Sequence, residues 1–255
     1  MRIGICELAY IPLRSGMSHK SEMVNQLLFG ELVEIQIHKE DWTKVRTLHD
    51  DYEGWVDTTT LTFLDKEDKL IEEFKNAYRL HQTLEITVND TPILLPNGAV
   101  LPKNKKEFHI NDNKYQLPKS FKFLSFDNKA ECIIKHAHDL LNSPYLWGGR
   151  TAWGLDCSGF SQYLYSLVGI QLPRDATQQI NFGQTCNFIS EAQAGDLAFF
   201  DDDEGNIIHV GIIYEPGIII HASGKVRIDR IDHQGIYNKN LKRYTHNLRV
   251  VKSLL

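Results

Sequence analysis

The order of apolar and polar positions divides the chain into a strand-rich first half and a mixed second half. Residues 1–64 hold short apolar runs separated by polar breaks, a spacing typical of a small β-barrel. Residues 65–80 predict a connecting helix with acidic residues at its start, because four apolar residues fall on one face. These four are Leu70, Ile71, Phe74 and Tyr78. Residues 81–125 return to strand-like runs and predict either a second small barrel or an irregular β domain.

The second half, residues 126–255, contains both helix-like and strand-like apolar patterns. KAECIIKHAHDLL predicts a helix that ends before Pro144, and apolar residues at helical spacing predict another helix after Cys157. Five strand-like runs follow: AGDLAFF, NIIHVGIIY, GIIIHASG, KVRIDRID and NLRVVKSLL. The pattern therefore predicts an α+β domain preceded by one or two small barrels.

Cys157 is the candidate nucleophile. It follows a glycine-rich turn in YLWGGRTAWGLDCSG and stands at the start of a predicted helix, with Asp156 placed to cap that helix. Unpaired backbone N–H groups and the helix dipole at this position favour thiolate over thiol. A cysteine in this position becomes a nucleophile when a histidine stands beside it.

Two histidines complete the candidate chemistry. His209 and His221 lie in two apolar strand patterns joined by the turn signal Pro216-Gly217, which predicts a hairpin. The two side chains are then expected side by side on adjacent strands. One would pair with the thiol of Cys157 and the other would orient it.

Composition and charge narrow the function classes. A hydrophobic content of 42% suits a soluble globular protein, and a net charge of −5 argues against a nucleic-acid partner or an anionic membrane. The four cysteines lack close pairs, so a disulfide scaffold is not expected. A zinc site of Cys157, Cys186, His209 and His221 stays open as an alternative, although close ligand pairs are missing. The N-terminus shows no signal-peptide core, so we expect a cytoplasmic protein, or a periplasmic or secreted one whose leader has been removed.

Five ordered blocks carry a resemblance to a known family: YLWGGRTAWGLDCSGF, LPRDATQQ, AGDLAFF, IIHVGIIY and IIHASG. They resemble the NlpC/P60 cysteine peptidases of bacterial cell walls over about residues 126–255. The resemblance implies a papain-like fold in which a cysteine-bearing helix packs on a sheet bearing the histidines. PLRSG, GELVEI, DWTKVRT and EGWVD in residues 1–64 resemble a bacterial SH3 domain. The most similar subgroup carries such domains ahead of its catalytic domain.

The resemblance also implies site roles and no cofactor or metal. Cys157 would attack an amide carbonyl, His209 would carry the proton and His221 would hold His209. Further residues would bind the oxyanion or the substrate: Tyr145, Asp156, Ser158, Arg174, Asp175 and Thr177. Thr177 stands next to Ala176, where relatives often have a serine that contacts the substrate carboxylate.

The implied substrate is a peptidoglycan stem peptide, cleaved between γ-D-glutamate and diaminopimelate or lysine. In the SH3-bearing subgroup the first domain caps the groove and admits only a free N-terminal L-alanine, and Glu53 is the candidate partner of its ammonium group. Such an enzyme would recycle wall fragments. Two other classes stay open: a papain-like acyltransferase or amidase acting on another amide or ester, and a non-catalytic wall-binding protein.

Overall fold

The computed structural model describes residues 2–64, 69–75 and 77–255. The short apolar runs near the N-terminus form the strands of a seven-stranded antiparallel sheet. The strand order is β3-β2-β6-β5-β4-β1-β7. Alternate residues, such as Leu13, Val45 and Val56, fill one buried cluster, as expected for a small barrel. The strands are β1 (Arg2–Ile5), β2 (Tyr10–Arg14), β3 (Met23–Leu28), β4 (Leu32–His38), β5 (Trp42–Thr47), β6 (Glu53–Asp57) and β7 (Thr62–Leu64).

The next segment adds a short helix and two small sheets. The sheets have the orders β10-β9-β13-β12 and β11-β8. The elements are α1 (Lys69–Lys75), β8 (Tyr78–Arg79), β9 (Leu84–Val88), β10 (Thr91–Leu95), β11 (Val100–Leu101), β12 (Glu107–Ile110) and β13 (Asn113–Gln116). The predicted helix was too long at its end: Tyr78 lies in β8, paired with Leu101, rather than on the helix. The predicted helix start, residues 65–68, and residue 76 lie outside the described residues.

These elements share a core with the first sheet. The Phe29 ring lies 5.2 Å from that of Tyr115 and 6.4 Å from that of Phe108. Gly30, at φ +79°, permits the close approach, because a Cβ there would lie 2.2 Å from the carbonyl oxygen of Val100. Residues 1–125 accordingly group as one unit, and whether 81–125 is a second SH3-like barrel stays a prediction.

The second unit, Phe126–Leu255, packs two main helices on a seven-stranded sheet of order β16-β22-β17-β18-β19-β20-β21. β21 also pairs with β22, which closes the sheet on itself. The helices are α2 (Lys129–Asp139), α3 (Cys157–Leu167) and α4 (Ala176–Gln179). The strands are β14 (Arg150–Thr151), β15 (Gly154–Leu155), β16 (Gln184–Cys186), β17 (Leu197–Asp201), β18 (Ile207–Glu215), β19 (Ile218–Ser223), β20 (Lys225–Asp232), β21 (Gly235–Asn238) and β22 (Arg243–Ser253).

The central strands of this sheet are buried on both faces. Phe199, Val210 and Ile220 pack with α2 and α3, whereas Phe200 and Ile213 belong to a separate cluster. The period of two along a strand produces this separation. The predicted architecture, a helix that carries the cysteine packed on an antiparallel sheet that carries the histidines, is confirmed. Within the described residues, no helix has the length and apolar character needed to cross a membrane.

Candidate active site

Cys157 is the first residue of α3, as the sequence predicts. The Asp156 side chain caps the helix by accepting a hydrogen bond from the backbone N–H of Gly159 at 2.7 Å. Gly159 has a steric role, because a Cβ there would lie 2.2 Å from the carbonyl oxygen of Gly149. The glycine-rich turn therefore packs directly against the start of the helix and fixes the position of the cysteine.

The thiol of Cys157 is buried, with the residue 7% exposed. Burial, followed by the charge of Asp156, raises the pKa of the thiol to about 11. Hydrogen bonds from the backbone N–H groups of Val210 and Ser158 and the charge of Arg174 act in the opposite direction. Loss of water therefore outweighs the effect of the helix terminus that the sequence indicates, and the proton must leave through a base.

His209 and His221 lie side by side on β18 and β19, which confirms the predicted arrangement. The Nε2 atom of His209 lies 2.8 Å from the Nδ1 atom of His221, and the two rings are nearly perpendicular. Burial lowers the pKa of His209 well below its usual value, and the neighbouring rings of His221 and His246 act in the same direction. His209 is therefore a neutral imidazole that can accept a proton.

Sequence reasoning missed three residues beside this pair. Asp229 lies 3.1 Å from the Nε2 atom of His221 and forms an ion pair with Arg227 at 2.6 Å. The His246 ring stacks on His209 with 4.3 Å between centroids. The alternation in KVRIDRID places Arg227 and Asp229 on one face and is a signal for the first two, whereas His246 joins through the pairing of β22 at the end of the chain.

Asp156, Ser158 and Arg174 form a second buried cluster. The guanidinium of Arg174 donates to both carboxylate oxygens of Asp156, at 2.9 and 2.5 Å, and to the Ser158 hydroxyl at 2.8 Å. The backbone N–H of Gly148 donates to the same carboxylate at 2.8 Å. The structure thus brings three predicted substrate-binding residues together, and it also gives them a structural task at the start of α3.

The remaining predicted site residues are less buried. Tyr145 packs against the core of this unit, and burial, with the charges of Cys157 and Asp156, raises the pKa of its hydroxyl to about 12. That hydroxyl stays a neutral donor. Asp175 precedes α4, where Thr177 is exposed. Glu53 lies in the other unit, where its carboxylate accepts hydrogen bonds from Lys44 at 2.6 Å and Gln36 at 2.7 Å. Their substrate-binding roles stay predictions.

The zinc alternative does not fit the arrangement of these side chains. Cys186 packs in a different apolar cluster from Cys157. Its thiol lies 3.8 Å from a carboxylate oxygen of Asp196. The four proposed ligands therefore do not form one tetrahedral set.

The buried histidines predict acid sensitivity. Burial lowers the pKa of His246 to about 4 and the pKa of His209 and His221 below their usual 6.5. Between pH 6.5 and 4 the unfolded chain binds protons that the folded protein does not, so the free energy of unfolding falls as pH falls. The free energy of unfolding, measured by urea unfolding, should therefore be lower at pH 5 than at pH 7. Replacing partly exposed His246 by phenylalanine should make this difference about 1 kcal/mol smaller. The exposed His138, replaced by glutamine, is the control that should leave the difference unchanged; an unchanged difference in H246F would contradict the assignment.

Taken by themselves, the two units define an α+β protein with a papain-like domain and an SH3-like barrel. Comparison with known proteins narrows this class. A model of the NlpC/P60 family matches residues 142–246, and one of the bacterial dipeptidyl-peptidase SH3 domain matches residues 13–61. A crystal structure of an NlpC/P60 family protein from Bacillus cereus superposes with a TM-score of 0.80 at 19% identity, covering 98% of this chain and 99% of that one.

Two curated relatives extend over both units. A γ-D-glutamyl-L-lysine dipeptidyl-peptidase from Bacillus cereus is 30% identical over 241 residues, which covers 81% of this chain and 69% of that protein. Dipeptidyl-peptidase 6 from Lysinibacillus sphaericus is 28% identical over 250 residues, with 87% and 89% covered. The chain belongs to the NlpC/P60 family, and it is a peptidase.

Proposed function

We propose that this peptidase is a cysteine peptidase in which Cys157 is the nucleophile, His209 the general base and His221 the residue that orients His209. The observation that carries the proposal is the thiol at the start of α3, which accepts a hydrogen bond from the backbone N–H of Val210, the residue directly after His209 in the His209–His221 pair. His209 would take the thiol proton as the sulfur attacks an amide carbonyl, and would return it to the leaving amine as the thioester forms. Water would then hydrolyse the thioester.

The developing oxyanion needs donors that are already in place. The backbone N–H of Cys157 lies at the helix start, where the first N–H groups have no partner within the helix. The Tyr145 hydroxyl is the second candidate, because its raised pKa keeps the proton on the oxygen. A neutral hydroxyl donates a hydrogen bond to an oxyanion, whereas a phenolate would repel it.

The proposed bond joins γ-D-glutamate to an L-diamino acid, lysine or diaminopimelate, in peptidoglycan stem peptides. Support comes from the two relatives, one named a γ-D-glutamyl-L-lysine dipeptidyl-peptidase, that match across both units. Arg174, Asp156 and Ser158 would place polar atoms beside Cys157 for the substrate carboxylate and ammonium groups.

The proposed substrate has a free N-terminal L-alanine, and Glu53 is the candidate partner of its ammonium group. We include in the same proposal a cytoplasmic role in recycling wall fragments, which cell fractionation would test.

Cleavage of the tripeptide L-Ala-γ-D-Glu-diaminopimelate tests this function, with the lysine tripeptide beside it. The free tripeptide should be cleaved at the γ-glutamyl bond, and its N-acetylated form at least about 100-fold more slowly, because acetylation removes the positive charge and adds bulk at the proposed amine-binding position. The Cys157→Ala protein is the matched control and should release no product. Product is measured by chromatography of the freed diamino acid.

Each other result has a definite meaning. Equal cleavage of the free and acetylated peptides would remove the requirement for a free amine. No cleavage of either would overturn the proposed bond and favour an acyltransferase or amidase with the same Cys157–His209 pair. Activity that survives in Cys157→Ala would overturn the nucleophile.

A further inference from the structure

A chain of polar contacts runs from Arg227 through Asp229 and His221 to His209. Arg227 lies 2.6 Å from one carboxylate oxygen of Asp229 through Nε, and donates to the other at 2.9 Å through Nη2. Asp229 lies 3.1 Å from His221 Nε2, and His221 Nδ1 lies 2.8 Å from His209 Nε2. Asp229, His221 and His209 are each less than 10% exposed, so water does not compete for these bonds.

The carboxylate of Asp229 determines which atom donates each hydrogen bond in this series of contacts. Burial alone would raise the pKa of Asp229, but hydrogen bonds from His221 and Arg227 outweigh it and leave the pKa lowered. An ionised carboxylate only accepts hydrogen bonds, so His221 must carry its proton on Nε2. Because burial lowers the pKa of His221, its ring is neutral and its Nδ1 atom is an acceptor. The Nε2 atom of His209 is therefore the donor, and its Nδ1 atom carries the lone pair.

The backbone of β18 links His209 to the thiol of Cys157. The sulfur of Cys157 accepts a hydrogen bond from the backbone N–H of Val210, the residue directly after His209. Nδ1 is bonded to the ring carbon that carries Cβ, so it lies nearer the main chain than Nε2 does. Nδ1 of His209 has no hydrogen-bond partner among residues 2–64, 69–75 and 77–255, whereas Nε2 is engaged by His221.

We propose that Asp229 is a positioning residue that fixes the tautomers of His221 and His209, so that Nδ1 of His209 is the proton acceptor for the Cys157 thiol. Arg227 supports this role by holding the carboxylate in place and ionised. The inference rests on the proposed function for its catalytic consequence. The tautomers themselves are a property of the resting protein and can be measured without substrate.

Two substitutions at Asp229 distinguish the loss of its hydrogen-bond acceptor from a change in side-chain volume. Asp229→Leu is close in size and removes the acceptor, so His221 can carry its proton on Nδ1 and donate it to Nε2 of His209. His209 must then carry its own proton on Nδ1. Asp229→Asn keeps the volume and one oxygen that can accept from Nε2 of His221, and its NH2 group then replaces the oxygen that accepts from Nη2 of Arg227. Asp232→Leu is the matched control: it lies on the same strand, and its carboxylate bonds Tyr244 instead.

The experiment reads the tautomers by ¹⁵N NMR of histidine-labelled protein at neutral pH and follows tripeptide cleavage in parallel. We expect His209 and His221 to be protonated on Nε2 in the unchanged protein, in Asp229→Asn and in Asp232→Leu. In Asp229→Leu the signals should show mixed or Nδ1-protonated rings, and kcat/KM should fall about 10–100-fold, the usual loss for a residue that orients an active-site group. The folded state of each variant is checked by amide spectra.

Two results would overturn the proposal: His209 protonated on Nδ1 in the unchanged protein, or tautomers in Asp229→Leu identical to those of the control. A failure of the proposed function looks different. The tripeptide would then resist cleavage by the unchanged protein while the tautomers and their dependence on Asp229 remained as expected.

Discussion

Replacing His209 by glutamine is expected to lower kcat/KM for the free tripeptide by about 10²–10⁴-fold, the range that general acid–base groups contribute. The reason is the state of the thiol. Burial holds the pKa of Cys157 at about 11, so almost no thiolate is present at neutral pH without a base. Glutamine keeps a polar side chain of similar length at this position, but it cannot take and return a proton. Initial rates of diamino acid release measure the loss.

The graded effects of neighbouring histidines sharpen this test. His221→Ala should lose about 10–100-fold, because His209 keeps its ring but loses its orienting partner. The surface residue His138, replaced by glutamine, is the control and should retain the original kcat/KM within about twofold. A His209→Gln protein with more than about a tenth of the original kcat/KM would contradict the role of His209 as base. In that case the hydrogen bond to His221 would be purely structural.

The parts of the site that the sequence predicted correctly depend on local patterns. Asp156 caps α3 and Cys157 begins it because a capping residue and helical spacing lie within a few positions of each other. His209 and His221 meet because Pro216-Gly217 joins their strands in a hairpin, and a hairpin sets which residues lie near each other.

What the sequence did not predict depends on distant parts of the chain. His246 reaches His209 only because β22 pairs with both β17 and β21 and closes the sheet. Asp229 reaches His221 through the register of β20 against β19. The raised pKa of the thiol depends on burial by the whole unit, which no motif encodes. Tyr78 follows the apolar spacing of α1 and yet pairs in β8, because tertiary contacts override local propensity.

The buried ion pair between Arg174 and Asp156 predicts the largest loss of stability. Arg174→Leu should lower the free energy of unfolding by about 3–5 kcal/mol, because it leaves a buried carboxylate without its charge partner. Arg174 is 1% exposed and donates to both oxygens of Asp156 and to Ser158. Arg174→Lys should lose less but not be neutral, since an ammonium group cannot make the two parallel bonds. Urea unfolding measured at pH 7 gives these free energies.

A second ion pair supplies the control. Arg249 lies 3.7 Å from Asp201 with its side chain 62% exposed, so Arg249→Leu should change the free energy of unfolding by about 1 kcal/mol or less. The double variant Asp156→Asn/Arg174→Leu should recover part of the loss, because no unpaired buried charge remains. If it is less stable than Arg174→Leu, the backbone bonds of Asp156 at the start of α3 matter more than its charge. If Arg174→Leu loses no more than the surface variant, the pair does not stabilise the turn that places Cys157.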